Sequence, residues 1–470
     1  MPSLFSARIR RFHGGVHPAD HEKTRTRGLA IEVQPAPARV TLAMQQHIGA
    51  PARPIVKKGD AVARGQVLAE AGGFVSVPVH SPVSGKVVEI GRCLHPLGMS
   101  GECVVVENDG QDRLAEGVGS AVKDAGILEP KKIAERIREA GICGMGGAGF
   151  PTHVKLSPPE GKPIDSLIIN GAECEPALSA DHRLMVEEAE GVLRGVTYLR
   201  RALERAGRLP ATVVAIEDNK PDAADALEAA RTRLGAECEI AVLPVRYPQG
   251  AEKQLVYALL GRAVPPQSER GLPMDVGCVV QNVGTAFAVH QALDLGTPLV
   301  ERVLTVAGDA VGDPANLRAR IGTPLGEILA SRNVAPDADK LILGGPMMGI
   351  AQFTDEHFVM KTTSGVLVER AAAAEREPFD PCIRCGRCIE ACPMELVPSR
   401  LSTLAEAGRL EDMDAWGAVD CIECGCCAYV CPARRPIVHQ VKLGKWELAR
   451  LARKVKEAAA KAAPARDGGA

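Results

Sequence analysis

The sequence predicts a multidomain α/β protein in which a β-rich module, an α/β module, a second β-containing module and a cysteine-rich helical module follow one another. Three observations carry this prediction. The chain has 470 residues, which is too long for one typical domain. Hydrophobic residues make up 46% of it beside 24% charged residues, enough for several cores. Turn-rich, helical and cysteine-rich stretches alternate along the chain, and we place the boundaries at 1–27, 28–125, 126–298, 299–370, 371–435 and 436–470.

Composition excludes several classes of function. A formal net charge of −2 gives no reason to expect nucleic acid as a partner, and aromatic residues at 3% are too few for base-stacking surfaces. Residues 1–21 lack the apolar core of a secretory signal. No window of about 18 apolar residues is present, so we expect no membrane-spanning helix. Without export, the 15 cysteines are not expected to form disulfides, because the cytosol keeps thiols reduced.

The first module, residues 28–125, is predicted to consist of short strands. Its segment "VKKGDAVARGQVLAEAGGFVSVPVHSPVSGKVVEI" alternates apolar residues with Gly-Asp and Ser-Gly turn signals. It resembles the barrel-sandwich fold of lipoyl and biotinyl domains, but it lacks their modifiable lysine in a D-K-A or M-K-M turn. Lys86 is therefore predicted to be an ordinary strand residue, and the module to be structural or a docking surface.

The cysteine-rich module repeats one spacing twice. The copies are "CIRCGRCIEACP" (382–393) and "CIECGCCAYVCP" (421–432). Each reads C-x2-C-x2-C-x3-C-P, the spacing with which thiolates hold a [4Fe–4S] cluster, and the fourth cysteine of each run binds the other cluster. We predict a first cluster held by Cys382, Cys385, Cys388 and Cys431. We predict a second cluster held by Cys421, Cys424, Cys427 and Cys392.

A pair of zinc sites is the alternative interpretation of these cysteines. Zinc sites use C-x2-C pairs that a longer stretch separates, whereas this chain has a triple run twice. The spacing therefore favours two clusters, which together form an electron relay. Cys426 is out of register and is predicted not to be a ligand. The other six are predicted to be small buried apolar side chains: Cys93, Cys103, Cys143, Cys174, Cys238 and Cys278.

The stretch "CGMGGAGFPTHVKL" (143–156) has the spelling G-x-G-x-x-G of a dinucleotide fingerprint, but its surroundings differ from the usual ones. A Rossmann fingerprint needs a strand before it and a long helix after it. Here "EPKKIAERIREAG" (129–141) has helical periodicity, and prolines soon follow the glycines. The predicted order is helix, glycine loop, short segment and then a strand at 165–171. The glycines still let backbone amides approach an anionic ligand, although a turn-rich connector is the alternative.

These residues carry a resemblance to a known family. "GMGGAGFPTHVKL", "LIINGAECEP", "YPQGAEKQLVYALLGR" and "VVQNVGTAFA" resemble the flavin and nucleotide segments of the NADH-oxidising flavoprotein subunit of respiratory complex I. The resemblance implies an α/β domain that binds FMN and NADH. It implies FMN contacts from Gly144, Gly146, Gly147, Gly149, Lys155, Asn170, Glu173, Asn282 and Thr285. It also implies that Glu175, Gly250 and Glu252 lie on the NADH side, and that Phe150 either stacks on a ring or belongs to the core.

Two positions depart from that family's pattern. Met145 replaces an arginine of the glycine loop, and Ala172 replaces an aspartate that faces the flavin. Whether FMN is retained is therefore a question that the sequence leaves open.

Residues 299–352 are predicted to form strand, turn, strand and then a helix begun by Thr323-Pro324. They resemble the soluble-ligand-binding β-grasp (SLBB) module, and "LILGGPMMG" closes the segment with a second glycine-rich turn. The carboxyl end is basic, and "VKLGKWELARLARKVKEAAAK" places apolar residues along one helix face. Two interpretations stay open for this helix: a membrane- or partner-docking helix, or a solvated helix packed on its own module.

The whole order of modules resembles the RnfC family, a component of the Rnf complex, which is a membrane-bound ferredoxin:NAD oxidoreductase. The resemblance implies a peripheral subunit on the cytoplasmic face of the bacterial inner membrane. It would exchange electrons between NAD(H), FMN and two [4Fe–4S] clusters, with other subunits contacting ferredoxin and translocating ions. The alternatives are a soluble flavin and iron–sulfur reductase resembling cobalamin reductase, or an electron-relay subunit without flavin.

Overall fold

A computed structural model describes residues 5, 9–19, 21–122, 125–371 and 379–462 of the chain. Helix α1 (His21–Thr26) and strand β1 (Ile31–Val33) come first, and the four predicted modules follow. The arm before β1 runs across the last three modules, because its backbone or side chains bond Ala258, Ala391 and Gly308. In the described ranges, each helix is too short or too polar to cross a bilayer. The predicted tail beyond residue 462 lies outside the described residues.

The first module contains two small antiparallel sheets that share one valine-rich core. Its strands are β2 (Arg39–Ala43), β3 (Arg53–Pro54), β4 (Ala61–Val62), β5 (Val67–Glu70), β6 (Val79–His80), β7 (Gly85–Leu94) and β8 (Ser100–Asn108). The sheet orders are β2-β8-β7-β4 and β3-β5-β6. Val40 and Leu42 of β2 are buried at alternate positions, as expected for strands with one face inside. Lys86 is an exposed residue of β7, which confirms its ordinary role in a strand.

The second module is built on a four-stranded parallel sheet. Its elements are α2 (Pro130–Glu139), α3 (Thr152–Lys155), β9 (Ser166–Gly171), α4 (Ala180–Glu187), α5 (Ala189–Ala202), β10 (Ala211–Glu217), α6 (Pro221–Leu234), β11 (Glu239–Leu243), α7 (Glu252–Leu260), β12 (Cys278–Asn282) and α8 (Val283–Asp294). The predicted order of helix, glycine loop, short segment and strand is confirmed. The strand order is β11-β10-β9-β12. It reverses between β9 and β12, and open α/β sheets bind ligands beyond the carboxyl ends of strands at such a point.

Helices α5 and α8 pack closely because a glycine lies between them. A Cβ added at Gly195 would come within 1.7 Å of the Ala286 carbonyl oxygen. We expect Gly195→Ala to push the helices apart and to lower the free energy of unfolding by about 1–3 kcal/mol or more, the cost of overpacking. Denaturant unfolding measures this against Gly28→Ala, where an added Cβ meets nothing within 4 Å. Equal stability of the two variants would contradict the close contact.

The third module is a mixed six-stranded sheet with one helix. Its elements are β13 (Glu301–Ala307), β14 (Ala315–Arg320), α9 (Leu325–Ala330), β15 (Ala338–Leu343), β16 (Ile350–Gln352) and β17 (Gly365–Arg370). The strand order is β1-β14-β13-β17-β15-β16. Helix α9 follows Thr323-Pro324, as the sequence predicts, and its Leu325 and Ile328 pack into the core of the sheet.

The boundary predicted at residue 28 is corrected by this sheet. Strand β1 falls in the segment assigned to the first module, yet it pairs in parallel with β14, with Ile31 opposite Asn316. The edge of a sheet offers unpaired backbone groups, and β1 satisfies those of β14. Residues 31–33 therefore belong structurally to the third module.

The fourth module is helical. Its helices are α10 (Arg387–Glu390), α11 (Pro398–Glu406), α12 (Leu410–Ala415), α13 (Cys426–Tyr429) and α14 (Ile437–Ala462). The boundary predicted between residues 435 and 436 is also corrected. The first turns of α14 bury Ile437 and Val441 in the core of this module, next to Leu401 of α11. A helix whose apolar side completes a core belongs to that core, whatever its basic composition.

Candidate functional site

The glycine loop, residues 143–151, turns back on itself and exposes its tip. Cys143 pairs with Pro151 in an isolated bridge, and the Gly144 amide donates to the Phe150 carbonyl at 2.8 Å. Gly146, Gly147 and Ala148 are exposed. A Cβ added at Gly147 would meet no protein atom within 4 Å. The tip therefore leaves room for a ligand against the backbone, as the sequence predicts.

The loop lies at the amino end of α8, where the strand order reverses. The Met145 amide donates to Thr285 Oγ1 at 3.0 Å. Asn282 caps α8, since its Oδ1 accepts from the Gly284 amide at 2.8 Å. An added Cβ at Gly146 would lie 3.0 Å from the Asn282 Cβ. The predicted glycines, Asn282 and Thr285 thus meet at a helix terminus whose partial positive charge favours anions.

Asn170, at the end of β9, links two other predicted segments. Its Nδ2 donates to the Gly250 carbonyl at 2.8 Å, and its Oδ1 accepts from the Ala172 amide at 3.1 Å. Strands β9 and β12 are neighbours with Asn170 opposite Asn282. The fold therefore brings residues near 146, 170, 250 and 282 to one edge of the sheet.

Lys155 has a partner that the sequence does not predict. Its ammonium pairs with the Glu252 carboxylate and donates to the Val280 carbonyl at 3.1 Å. The resemblance assigns Lys155 to FMN and Glu252 to the NADH side. In the structure the two neutralise each other, so a phosphate at Lys155 would compete with Glu252.

Glu173 is half-buried, and its carboxylate is engaged by helix α4. It accepts from the Asp181 amide at 2.7 Å and from the His182 amide at 3.1 Å. The Lys23 ammonium donates to the Glu173 carbonyl at 2.8 Å. Burial raises the pKa of Glu173 to about 7, and the charge of Asp181 adds to this shift. Asp181 in turn accepts from Asn282 Nδ2 at 2.6 Å, so the predicted residues Glu173 and Asn282 are joined through it.

The raised pKa of Glu173 makes the stability of the protein without ligands depend on pH. An acid whose pKa rises from 4.5 to about 7 on folding holds its proton more tightly in the folded chain. The contribution of Glu173 to the free energy of unfolding is therefore fully present below about pH 4.5 and is lost as the pH rises through about 7. Lys23, Lys220, Asp181 and the amide groups at the start of α4 are the charged and polar groups facing it.

Between about pH 5 and about pH 8, we expect the free energy of unfolding to fall by more in the wild type than in Glu173→Gln, which keeps the other acids whose pKa burial raises, Glu175, Asp181 and Glu217. Urea unfolding at several pH values measures the difference between the two slopes. Glu160→Gln is the control, because Glu160 is exposed. Parallel slopes for the wild type and Glu173→Gln would contradict the raised pKa.

Glu175 is directed toward the third module and away from the glycine loop. Its Oε1 accepts from the amides of Met347 and Met348 at 2.7 and 2.9 Å, within the "GGPMMG" turn. A Cβ added at Gly345 would come within 2.0 Å of Glu175 Cγ. The glycine of that turn therefore makes room for the carboxylate, and the assignment of Glu175 to the NADH side stays a prediction.

Two buried cations from outside the α/β module hold the glycine loop, and the sequence analysis missed both. Arg302 of β13 donates to the Met145 carbonyl and to the Lys361 carbonyl, each at 2.7 Å. Lys361 donates to the carbonyls of Gly141 at 2.7 Å and Pro78 at 2.8 Å. Burial lowers the pKa of Arg302 to about 10 and that of Lys361 to about 8. A charged residue inside the apolar strand pattern "VERVL" was the available signal for Arg302.

The cysteines of the second predicted set are neighbours in space. Burial raises the pKa of Cys427, and the nearby Cys424, Cys421 and Cys392 raise it further. Cys392 comes from the other motif, and the crossed assignment of ligands stays a prediction. Buried thiols whose negative forms repel one another suit a site where a cationic centre offsets that repulsion. These residues therefore fit a cluster of iron and sulfur.

The first predicted set is more open to solvent. Cys382 and Cys385 are exposed, whereas Cys388 is buried and packs in one apolar cluster with Cys421, Cys427 and Cys431. Within the described ranges, no three histidine, cysteine or acidic side chains converge to hold a single metal ion. The structural support for [4Fe–4S] clusters is therefore the proximity of cysteines from the two motifs.

Of the other six cysteines, Cys103, Cys143 and Cys278 are buried as predicted. Cys93, Cys174 and Cys238 are half-buried, which corrects the prediction for these three. Cys426 is buried in an apolar cluster with Cys424 and Tyr247.

Three family models match successive parts of the chain. Residues 10–111 match the RnfC barrel sandwich hybrid domain, residues 137–291 the Nuo51 FMN-binding domain, and residues 381–434 a 4Fe-4S dicluster domain. The matches confirm the predicted barrel-sandwich, FMN-binding and two-cluster modules. FMN and [4Fe–4S] clusters are therefore the cofactors of this chain.

Two relatives match this chain over nearly its whole length. The C subunit of the proton-translocating ferredoxin:NAD(+) oxidoreductase complex of Clostridium ljungdahlii is 42% identical over 93% of this chain and 94% of its own length. The C subunit of the Na(+)-translocating ferredoxin:NAD(+) oxidoreductase complex of Acetobacterium woodii is 41% identical over 93% and 97%. A solved NAD+-reducing [NiFe]-hydrogenase in the H2-reduced state is similar with a TM-score of 0.49 and 18% identity, over 70% of this chain and 63% of that one.

Proposed function

Because the chain belongs to the RnfC family of ion-translocating oxidoreductase complexes, we propose that it exchanges electrons between NAD(H) and the other subunits of such a complex. FMN and two [4Fe–4S] clusters carry the electrons. One observation supports this best: the exposed glycine loop lies at the reversal point of the parallel sheet, and the two-cluster module packs against the same α/β module. The chain is thus an oxidoreductase subunit.

Each part of the site has a separate task in this proposal. FMN, when bound, exchanges hydride with a nicotinamide and single electrons with a cluster. The amides of the loop tip and of the first turn of α8 supply donors to its anionic group. Arg302 and Lys361 keep the loop in place from outside the module. The residues that we assign to FMN are Gly144, Gly146, Gly147, Gly149, Lys155, Asn170, Glu173, Asn282 and Thr285.

We propose that NAD(H) binds on the side of the glycine loop that α7 faces. Gly250 and Glu252 precede and begin that helix. Glu175 is assigned there as well, although its carboxylate is bonded to Met347 and Met348. Phe150, which is half-buried, is assigned to either a ring contact or the core. Hydride transfer needs no acid or base from the protein, so we name no proton-transfer residue.

The finer identities of the modules also belong to this proposal. We interpret the α/β module as Rossmann-like and the six-stranded module as an SLBB β-grasp domain. The module boundaries remain those predicted from the sequence, with two changes. Residues 31–33 are assigned to the third module, and the first turns of α14 are assigned to the fourth. The proposed crossed cluster ligands are Cys382, Cys385, Cys388 and Cys431, and Cys421, Cys424, Cys427 and Cys392.

The proposed location is peripheral, on the cytoplasmic face of the bacterial inner membrane. Ferredoxin would be reached through other subunits, which would also translocate the ion. Helix α14 supports a docking role, because Leu443, Trp446 and Val455 expose apolar surface beside its basic residues. Contact with another protein of the complex and contact with lipid are both compatible with this face.

Anaerobic purification followed by cofactor assay tests the proposal. We expect about one FMN and about eight iron atoms per chain, and reduction of an artificial dye that depends on NADH. Cys385→Ser should lower the iron content and leave the flavin. Flavin absent with no dye reduction would favour a relay without flavin. Full activity without any association with membrane proteins would favour a soluble reductase.

A further inference from the structure

The fourth module touches the α/β module beside the second predicted cluster. Tyr247, which precedes α7, is 2% exposed, and its hydroxyl donates to the Cys424 carbonyl at 2.6 Å. Cys424 and Cys426 share one apolar cluster with Tyr247 and Cys174. Cys174 in turn connects to the proposed nucleotide side and to Asn170, because the Gly250 amide donates to Cys174 Sγ at 3.2 Å and the Gly250 carbonyl accepts from Asn170 Nδ2 at 2.8 Å. A chain of direct contacts therefore leads from the edge of the sheet to Cys424.

The amino-terminal arm fixes the same contact from the other side. The Gly15 amide donates to the Ala391 carbonyl at 2.9 Å. Val16 and Tyr247 exchange two backbone hydrogen bonds at 2.8 and 3.0 Å. Gly14 has a φ of +66°, and a Cβ there would come within 2.7 Å of the Cys392 carbonyl carbon. Only glycine lets the arm lie this close to a predicted ligand of the second cluster.

The first predicted cluster has no comparable contact among the described residues. Cys382 and Cys385 are exposed, and Ile383 between them is 67% exposed. The equivalent part of the second motif is covered, because Gly425 approaches the "GGPMMG" turn so closely that an added Cβ would lie 2.8 Å from the Met347 carbonyl oxygen. The beginnings of the two motifs thus have similar spelling but opposite surroundings.

From these contacts we infer that the second cluster is the one that exchanges electrons with the flavin site, and that Gly14 and Tyr247 are positioning residues that fix their separation. This inference rests on the proposed function. Electron transfer slows steeply as two centres move apart, so a contact that sets their distance also sets the rate. A hydride from NADH carries two electrons, whereas each cluster accepts one electron at a time. Two single-electron transfers across this contact are therefore needed for each NADH that is oxidised. The first cluster, whose Cys382 and Cys385 are exposed, then faces another subunit of the complex.

Removing one cluster at a time tests the order of the two centres. In Cys385→Ser, we expect NADH to reduce the second cluster at the wild-type rate in freeze-quench electron paramagnetic resonance. In Cys424→Ser, the remaining first cluster should be reduced by dithionite but lose its reduction by NADH, although the flavin is still bleached. NADH-driven reduction of the first cluster in Cys424→Ser would overturn the inference.

Gly14→Ala tests the positioning role with a readout that does not depend on turnover. Hydrogen–deuterium exchange at the amides of Gly15, Val16 and Tyr247 should speed up, because the added Cβ displaces the arm from Cys392. The rate of cluster reduction by NADH should fall below that of the wild type, while flavin reduction by NADH is unchanged. Gly28→Ala in the same arm is the control and should match the wild type.

Tyr247→Phe is a second variant, which keeps the ring and removes only the hydroxyl. We expect a smaller fall in cluster reduction than for Gly14→Ala, with normal iron and flavin contents. Wild-type rates of cluster reduction in Gly14→Ala despite faster exchange would overturn the positioning role. Failure of NADH to bleach the flavin in the unchanged protein would instead contradict the proposed function, and the order of the clusters with it.

Discussion

Gly147→Ala is expected to weaken flavin binding by at least about tenfold, which corresponds to about 1.4 kcal/mol. Gly147 is exposed at the tip of the glycine loop, and a Cβ there would meet no protein atom within 4 Å. The added methyl group would therefore project into the space where we place the cofactor. The measurement is the flavin released per chain after purification, together with a titration of the stripped protein with FMN.

The control for this variant has to carry the same backbone strain. Gly147 has a φ of +158°, so alanine there should cost about 1–3 kcal/mol of stability whatever lies in front of it. Gly161→Ala supplies a positive φ of +85° with no neighbour within 4 Å, at a distance in sequence from the loop. We expect similar losses of stability in both variants and a loss of flavin only in the first. Full flavin occupancy in Gly147→Ala would place the cofactor elsewhere.

Arg302→Met is expected to lower the free energy of unfolding by about 3–5 kcal/mol, the usual cost of removing one member of a buried charged network. The guanidinium satisfies the carbonyls of Met145 and Lys361, and Asp181 is its acidic neighbour. With a pKa of about 10 despite burial, Arg302 remains charged near neutral pH. Because its bond to Met145 fixes the loop, we also expect a lower flavin content.

Matched variants separate charge from geometry in this prediction. Arg302→Lys keeps the charge but reaches fewer acceptors, so its stability should lie between the wild type and Arg302→Met. Arg318→Met, on the neighbouring strand, removes a partly exposed pair with Glu188 and should cost about 1 kcal/mol or less. Urea unfolding of the four proteins decides the order. A cost for Arg302→Met no larger than that of Arg318→Met would contradict the buried network.

Local patterns explain why much of the fold could be predicted. The periodicity of 129–141 is helical as expected, with Ile133 and Ile137 buried, and the strand at 165–171 is β9. Such elements depend on neighbouring residues in the chain. The boundaries were predicted less well, because Ile31–Val33 pairs with β14 and α14 completes a core that begins near residue 388. Those pairings depend on distant segments.

The candidate site was predicted in part for the same reason. Gly146 lies against Asn282, and Asn282 lies opposite Asn170, so three of the predicted residues meet at one edge of the sheet. The partners of the charged residues were not predictable, since Lys155 pairs with Glu252 and Glu175 with the "GGPMMG" turn across long separations. Arg302 and Lys361 were missed because they come from the third module and the segment that precedes β17.

By itself, the sequence predicted the two clusters and the order of the modules, because ligand spacing and glycine patterns act over a few residues, whereas it left the retention of FMN open. Only the tertiary structure shows which of the two motifs meets Tyr247 of the α/β module. Both motifs have nearly the same spelling, but Tyr247 and Met347 pack against the second motif, and Gly14 packs against Cys392, the last cysteine of the first motif. Contacts between residues hundreds of positions apart leave no local pattern in a single chain.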